Sequence, residues 1–165
     1  MWGLRMLNFG ITMDVNIVLV PHAVSVARGL NKDQVLTKIS ELLGKVYALD
    51  AEAINEGLEQ REVLGSTGFG KGVAIPHCRS NDVRRPTLAV LKLEEPIDFG
   101  AADAMPVSLF FALVSPENAG ATHLYALAAV SRVMRDEARL QQMFDAPDSD
   151  ALFALLTNRF LRDAA

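Results

Sequence analysis

The stretch GSTGFGKG, from Gly65 to Gly72, lies within one residue of a nucleotide-binding loop, and Pro76-His77 follows it. The nucleotide pattern is G-x-x-x-x-G-K followed by Ser or Thr. Gly65, Gly70 and Lys71 satisfy it, but Gly72 stands where a hydroxyl would hold magnesium. Such a loop also leads from a strand into a helix, whose N-terminal amides hold the phosphates. Here a helical pattern precedes the loop, and a short strand pattern ending at Pro76 follows it. Proline in the second turn of a helix costs about 3 kcal/mol, so the loop is not expected to open one. A dinucleotide fingerprint fails as well: Gly68 and Gly70 begin G-x-G, but Val73 occupies the third glycine position. Gly65, Gly68, Gly70 and Gly72 instead predict a sharply turning connection from helix to strand. Bare amides in such a turn can form a concavity for an anion, to which the hydroxyls of Ser66 and Thr67 could add.

His77 is the residue this loop would serve. Pro76 fixes the backbone before it, and the histidine is expected at a strand end. An imidazole accepts a phosphoryl group when one ring nitrogen is neutral and accessible and the other donates a hydrogen bond that fixes the tautomer. Arg61 is close enough in sequence to meet the resulting charge. His123 is the second candidate, at the start of a helix that follows a long apolar strand, and strand ends are where ligands gather in open α/β sheets. A helix N-terminus also favours a nearby anion by about 0.3–1 kcal/mol. His22 has no such neighbours and reads as structural or exposed.

The elements that must position these residues follow from periodicity. Val35, Leu36, Ile39, Leu42, Leu43 and Val46 give helical spacing from Asn31 to about Tyr47, with Asn31 and Gln34 placed as a capping box. A second helix is predicted from an Asp50 cap through Gln60, with Ile54 and Leu58 inward, which sets Arg61 at the edge of its buried face. Strands are predicted at Ile17–Val20, Val73–Ile75, Thr87–Leu93 and Val107–Val114. The last is almost continuously apolar, as a strand buried on both faces would be. Helices are predicted after Gly120, over about Glu137–Phe144, and from an Asp148-Ser149 cap with Leu152, Leu155 and Leu156 inward. The pattern is that of an α/β fold, a β-sheet flanked by helices on both sides.

Composition bounds the function. The chain has 165 residues, which suits one domain, and it is half hydrophobic and 22% charged. A net charge of −4 argues against a general nucleic-acid binder, though not against a local basic pocket. The single cysteine, Cys78, excludes an internal disulfide and suits a reducing cytoplasm. Neither it nor the histidines show metal-ligand spacing, so no metal is expected. No run reaches the roughly 18 apolar residues of a membrane span, and the N-terminus lacks a signal-peptide pattern. Met13 is an alternative start, which would make residues 1–12 an extension of a domain at 13–160.

Taken together, REVLGSTGFGKGVAIPH (Arg61–His77) resembles enzyme IIA of the bacterial phosphoenolpyruvate phosphotransferase system. The resemblance is to the fructose/mannitol type and most of all to its nitrogen-regulatory branch. EEPIDFGAADAMPVSLFFALVSP (Glu94–Pro116) and THL (Thr122–Leu124) support it. The resemblance implies a mixed β-sheet flanked by helices and a phosphocarrier without cofactor, metal or nucleotide. It implies that His77 accepts the phosphoryl group on Nε2 from an HPr-like carrier. His123 would orient or stabilise that group, Arg61 would offset its charge, and the loop from Gly65 to Gly72 with Pro76 would shape the pocket. Partners would be the carrier and regulatory targets such as potassium transport proteins or sensor kinases. The alternatives are a sugar-transport IIA component passing phosphate to a IIB domain, and a binding module that is not phosphorylated. A protein donor would need an open, partly apolar surface, for which Phe69 and Ile75 are candidates. Cys78 has no assigned role, although its thiol could expose the site to oxidation.

Overall fold

A computed structural model describes residues 6–8 and 16–163, with side chains from 16 to 157; Met13 lies outside the described residues. Its strands are β1 (Met6–Asn8), β2 (Asn16–Val18), β3 (Val24–Ala27), β4 (Gly68–Gly70), β5 (Val73–Ala74), β6 (His77–Ser80), β7 (Thr87–Ile97) and β8 (Val107–Pro116). Its helices are α1 (Lys32–Tyr47), α2 (Ala51–Val63), α3 (Ala121–Val133), α4 (Glu137–Asp145) and α5 (Ser149–Asp163).

The sheet is mixed, and its centre is the antiparallel pair β7–β8. The strand order is β1-β2-β7-β8-β5-β4, with β3 also on β7 and β6 also on β8. Every β8 residue from Val107 to Ser115 is buried. Successive strand side chains point to opposite faces, so both faces of β8 are covered, as its unbroken apolar run requires.

On either side of this pair the flanking strand is broken in two. β2 and β3 both run parallel to β7, and a 3₁₀ turn at Pro21–Ala23 between them shifts the register by three residues. β5 and β6 both run parallel to β8 without any shift: Val73 faces Leu109 and His77 faces Leu113. These two are one strand interrupted at Ile75-Pro76, where proline lacks an amide proton. Pro76 keeps its acceptor role, its carbonyl taking a bond from Leu113 N at 2.9 Å. His77 therefore begins a strand segment rather than ending one. The tetrapeptide HCRS of β6 carries no apolar alternation, and this hid it in the sequence.

The helices start where their caps were expected. Asn31 and Gln34 form the reciprocal capping box of α1, and the Asp50 carboxylate accepts from the amides of Glu52 and Ala53 at the start of α2. α2 continues three residues past Gln60, which brings Arg61 into its last turn. It also lies very close to the sheet. A Cβ on Gly57 would sit 3.0 Å from the Cβ of Cys78, so the missing side chain sets the distance between α2 and β6.

The end of α2 is tied to three other segments through Glu62. Its buried carboxylate accepts from Thr67 N at 3.0 and 3.2 Å and from the Thr67 hydroxyl, and it pairs with Lys32 Nζ at 3.1 Å. Lys32 also donates to Phe99 O at 3.0 Å and stands over the Phe99 ring, 4.3 Å from its centroid. Replacing Glu62 with Ala leaves the two Thr67 donors without their acceptor. Buried donors without partners cost about 1–3 kcal/mol each. The Lys32 side chain is 34% exposed and keeps water on one side, so the ion pair adds little. Glu62→Ala is expected to lose about 2–3 kcal/mol in urea denaturation, and Glu62→Gln, which retains an acceptor, less than half of that.

Candidate active site

His77 and Arg79 are two apart on β6 and share a face of the sheet. In the parallel ladder they stand beside Leu113 and Ser115 of β8, so Ser115 belongs to that face too. Cys78 points the other way, against Gly57 of α2. α2 thus covers one face of β6, and Arg61 reaches from its last turn to the His77 ring on the other.

The His77 ring is held at both nitrogens. Nδ1 lies 2.8 Å from Ile75 O. A carbonyl only accepts, so Nδ1 carries the proton and Nε2 presents its lone pair. Arg61 Nε donates to that lone pair at 3.2 Å, and Arg61 Nη1 donates to Gly65 O at 2.7 Å. Burial holds the His77 pKa below the ordinary histidine value. The Ile75 carbonyl and Glu62 oppose this shift, and Arg61 adds to it. His77 is therefore neutral at pH 7, with a fixed tautomer and a lone pair on Nε2.

His123 is the third residue of α3 and is buried. Its ring centroid is 5.5 Å from that of His77, and its Nδ1 is 2.7 Å from Ser115 Oγ. Burial, then the neighbouring His77 and Arg79, push its pKa down to about 4. Gly120, the N-cap of α3, supplies no side-chain cap, so the first amides of this helix have no acceptor from it.

A cavity of about 600 Å³ opens over these groups. Its polar lining includes Glu56, Gln60, Arg61, His77, Arg79 and Glu117, with His123 at its side. Arg79 Nη1 donates to Glu117 O at 3.2 Å. Arg79 was not singled out in the sequence, because the strand that puts it two residues from His77 was not recognised. Removing this cation favours protonation of its neighbour. Arg79→Ala is expected to raise the His123 pKa from about 4 by roughly half a unit to one unit, since a charge on the cavity wall acts through solvent. An NMR titration of the ring protons measures it.

The glycine loop is placed differently from expectation. Ser66, Thr67, Gly68, Gly70 and Gly72 do not line the cavity, and Gly65 bears on it only through the carbonyl that holds Arg61. Four of the loop amides, those of Gly65, Thr67, Gly68 and Lys71, are already occupied. Thr67 N donates to Glu62, Gly68 N to Ser66 Oγ at 3.0 Å, and Lys71 N to Asp103 Oδ2 at 2.8 Å. These donors are thus taken up by neighbouring side chains, two of them outside the loop, instead of being offered to an anion. Part of it is strand: β4 pairs antiparallel with β5, with an irregular register between Gly68 and Gly70. Gly68 is required by packing, since a Cβ there would lie 2.7 Å from Ala101. Pro76 acts by breaking the strand before His77.

Other expectations also shift. Ile75 is buried, and Phe69 is 41% exposed but away from the cavity. An exposed apolar group that lines the site is Leu64, and the exposed Leu124 follows His123 in the chain. Cys78 is buried and its thiol is pushed up to about 12, which suppresses the reactive thiolate. Among the described residues no cluster of three or more potential ligands could hold a metal, and no helix is long and apolar enough to cross a membrane.

The sequence profile described as "Phosphoenolpyruvate-dependent sugar phosphotransferase system, EIIA 2" matches residues 8–159. The chain belongs to this EIIA 2 family. It is 40% identical over 131 residues to a nitrogen regulatory protein of Pseudomonas aeruginosa, covering 79% of this chain and 85% of that one. It is 35% identical over 145 residues to a nitrogen regulatory protein of Bradyrhizobium diazoefficiens, covering 87% and 95%. The crystal structure of the nitrogen regulatory protein IIA-Ntr from Neisseria meningitidis superposes with a TM-score of 0.75 at 34% identity, over 83% of this chain and 94% of that one. As an EIIA 2 protein the chain is a phosphotransfer component, and the mixed sheet and five α-helices of its described residues are the fold of that family.

Proposed function

We propose that this EIIA 2 protein is a cytoplasmic phosphocarrier with a regulatory role, phosphorylated on His77 by an HPr-like carrier. The carrying observation is the His77 ring: its proton is held on Nδ1 by Ile75 O, and its bare Nε2 faces Arg61 at an open cavity. The Nε2 lone pair attacks phosphorus on the donor's phosphohistidine. The P–N bond to the donor breaks as the bond to Nε2 forms, and the departing ring nitrogen recovers its electron pair. No proton has to move at His77, because Nδ1 keeps its own. Phosphoryl transfer depends on positioning and charge compensation. Arg61 Nε, released from Nε2 by the incoming phosphorus, turns its donors to the phosphoryl oxygens while Gly65 O keeps hold of Nη1. His123 supplies a further contact from the opposite wall.

The regulatory role is supported by the names of the relatives, nitrogen regulatory proteins matched over most of both chains. Targets of the kind the resemblance implies, potassium transport proteins or sensor kinases, would read the phosphorylation state. Incubation with phosphoenolpyruvate, enzyme I and an HPr-like carrier is expected to give an acid-labile, alkali-stable phosphate on the protein. No label with active donors would refute the proposal. Pull-downs with both forms then separate regulation, with different captured proteins, from onward transfer to a IIB domain.

A further inference from the structure

His77 and His123 meet over the cavity, but only the tautomer of His77 is fixed by a group with no choice. His123 Nδ1 faces a hydroxyl, which can donate or accept. Ser115 is fully buried, and among the described residues its Oγ makes only this side-chain hydrogen bond, at 2.7 Å. If Nδ1–H donated to it, the serine proton would be enclosed without an acceptor, at the full desolvation cost of that donor. If Ser115 donates, the proton and the ring lone pair satisfy each other. Only spare lone pairs on the hydroxyl oxygen then go unused, the smaller loss.

We infer that Ser115 is a positioning residue that holds His123 as its Nε2–H tautomer, opposite to the tautomer of His77. This rests on the phosphocarrier reading for its purpose, though not for its geometry. A neutral ring has one proton to place, and the low basicity of His123 keeps it neutral at pH 7. The two imidazoles then have complementary parts. His77 presents a lone pair that accepts phosphorus. His123, with Nδ1 committed to the core, presents an N–H from the cavity side that donates to a phosphoryl oxygen. With the other tautomer, His123 would turn a lone pair toward an anion and repel it.

The test is ¹⁵N NMR of the ring nitrogens at pH 7 in wild type, Ser115→Ala and Ser115→Thr, alongside the phosphorylation rate. Expected are an Nε2–H signature for wild-type His123, its loss or mixing in Ser115→Ala, and its return in Ser115→Thr. The transfer rate should fall about tenfold in Ser115→Ala, the low end of what outer partners of metal-binding imidazoles contribute, and recover in Ser115→Thr. An Nδ1–H tautomer in wild type, which needs no variant to fold, overturns the inference. An unchanged tautomer in Ser115→Ala overturns it equally. If the tautomers behave as expected but no variant accepts phosphate, the serine assignment holds and the phosphocarrier reading fails.

Discussion

His77→Ala is expected to abolish labelling completely, while wild type under the same donors is labelled on every molecule. No neighbour can substitute. His123 is buried, has its pKa pushed down to about 4, and commits Nδ1 to Ser115. His22 is far off in sequence, within the 3₁₀ turn between β2 and β3. Cys78 is buried, and its thiolate is suppressed. The His77 ring is only half-buried, and its loss removes one bond to Ile75 O and one from Arg61, whose Nη1 keeps Gly65 O, so the variant should unfold within about 1–2 kcal/mol of wild type. Mass spectrometry of the labelled protein and a urea curve decide both points. Residual label in a folded His77→Ala protein would mean that a different atom carries the phosphate.

The second large effect is at Arg61. Arg61→Gln keeps a hydrogen-bonding group but removes the charge and the fork that spans Nε2 and Gly65 O. Loss of one preorganised donor to developing charge lowers rates by about 10²–10³-fold, and a fall of about 100-fold in the phosphorylation rate is expected from stopped-flow transfer. A second readout does not depend on the size of the rate loss. Arg61 lowers the His77 pKa, so the variant should raise it. The rise is partial, because burial, the larger cause, persists. A neutral ring is needed for attack, so the acid limb of the pH–rate profile should move to higher pH. An Arg61→Gln profile that overlays wild type would remove the charge role assigned here.

Much of this was legible in the residues themselves. The caps of α1 and α2 are local devices, made by side chains two or three residues from the amides they hold, and they fell where the sequence put them. The apolar run of β8 announced a central strand for the same reason: burial on both faces leaves no polar position. What was not legible depends on partners distant in sequence. β6 is a strand because β8 pairs with it, and HCRS alone carries no such signal. Arg79 was lost with it. Ser115 gains its role from a histidine one helix entry later, and Gly57 from Cys78 across the layer. The glycine loop was misread for a related reason. The count of glycines indicated bare amides, but Glu62, Ser66 and Asp103 had already taken them.

The break at Pro76 has a consequence for how such a protein can change. The clamp on His77 is made by a carbonyl two residues back along the same strand, so the acceptor comes with its own orientation built in. The countercharge and the rim come from elsewhere, with Arg61 and Leu64 at the end of α2 and Leu124 on α3. Variation at the exposed Leu64 and Leu124 could alter which protein docks, provided that Arg61 and His123 on the same helices keep their places. Each of these helix ends thus sets a polar side chain that meets His77 directly beside an apolar one that meets solvent, so substitutions confined to the apolar positions would change the outer surface alone.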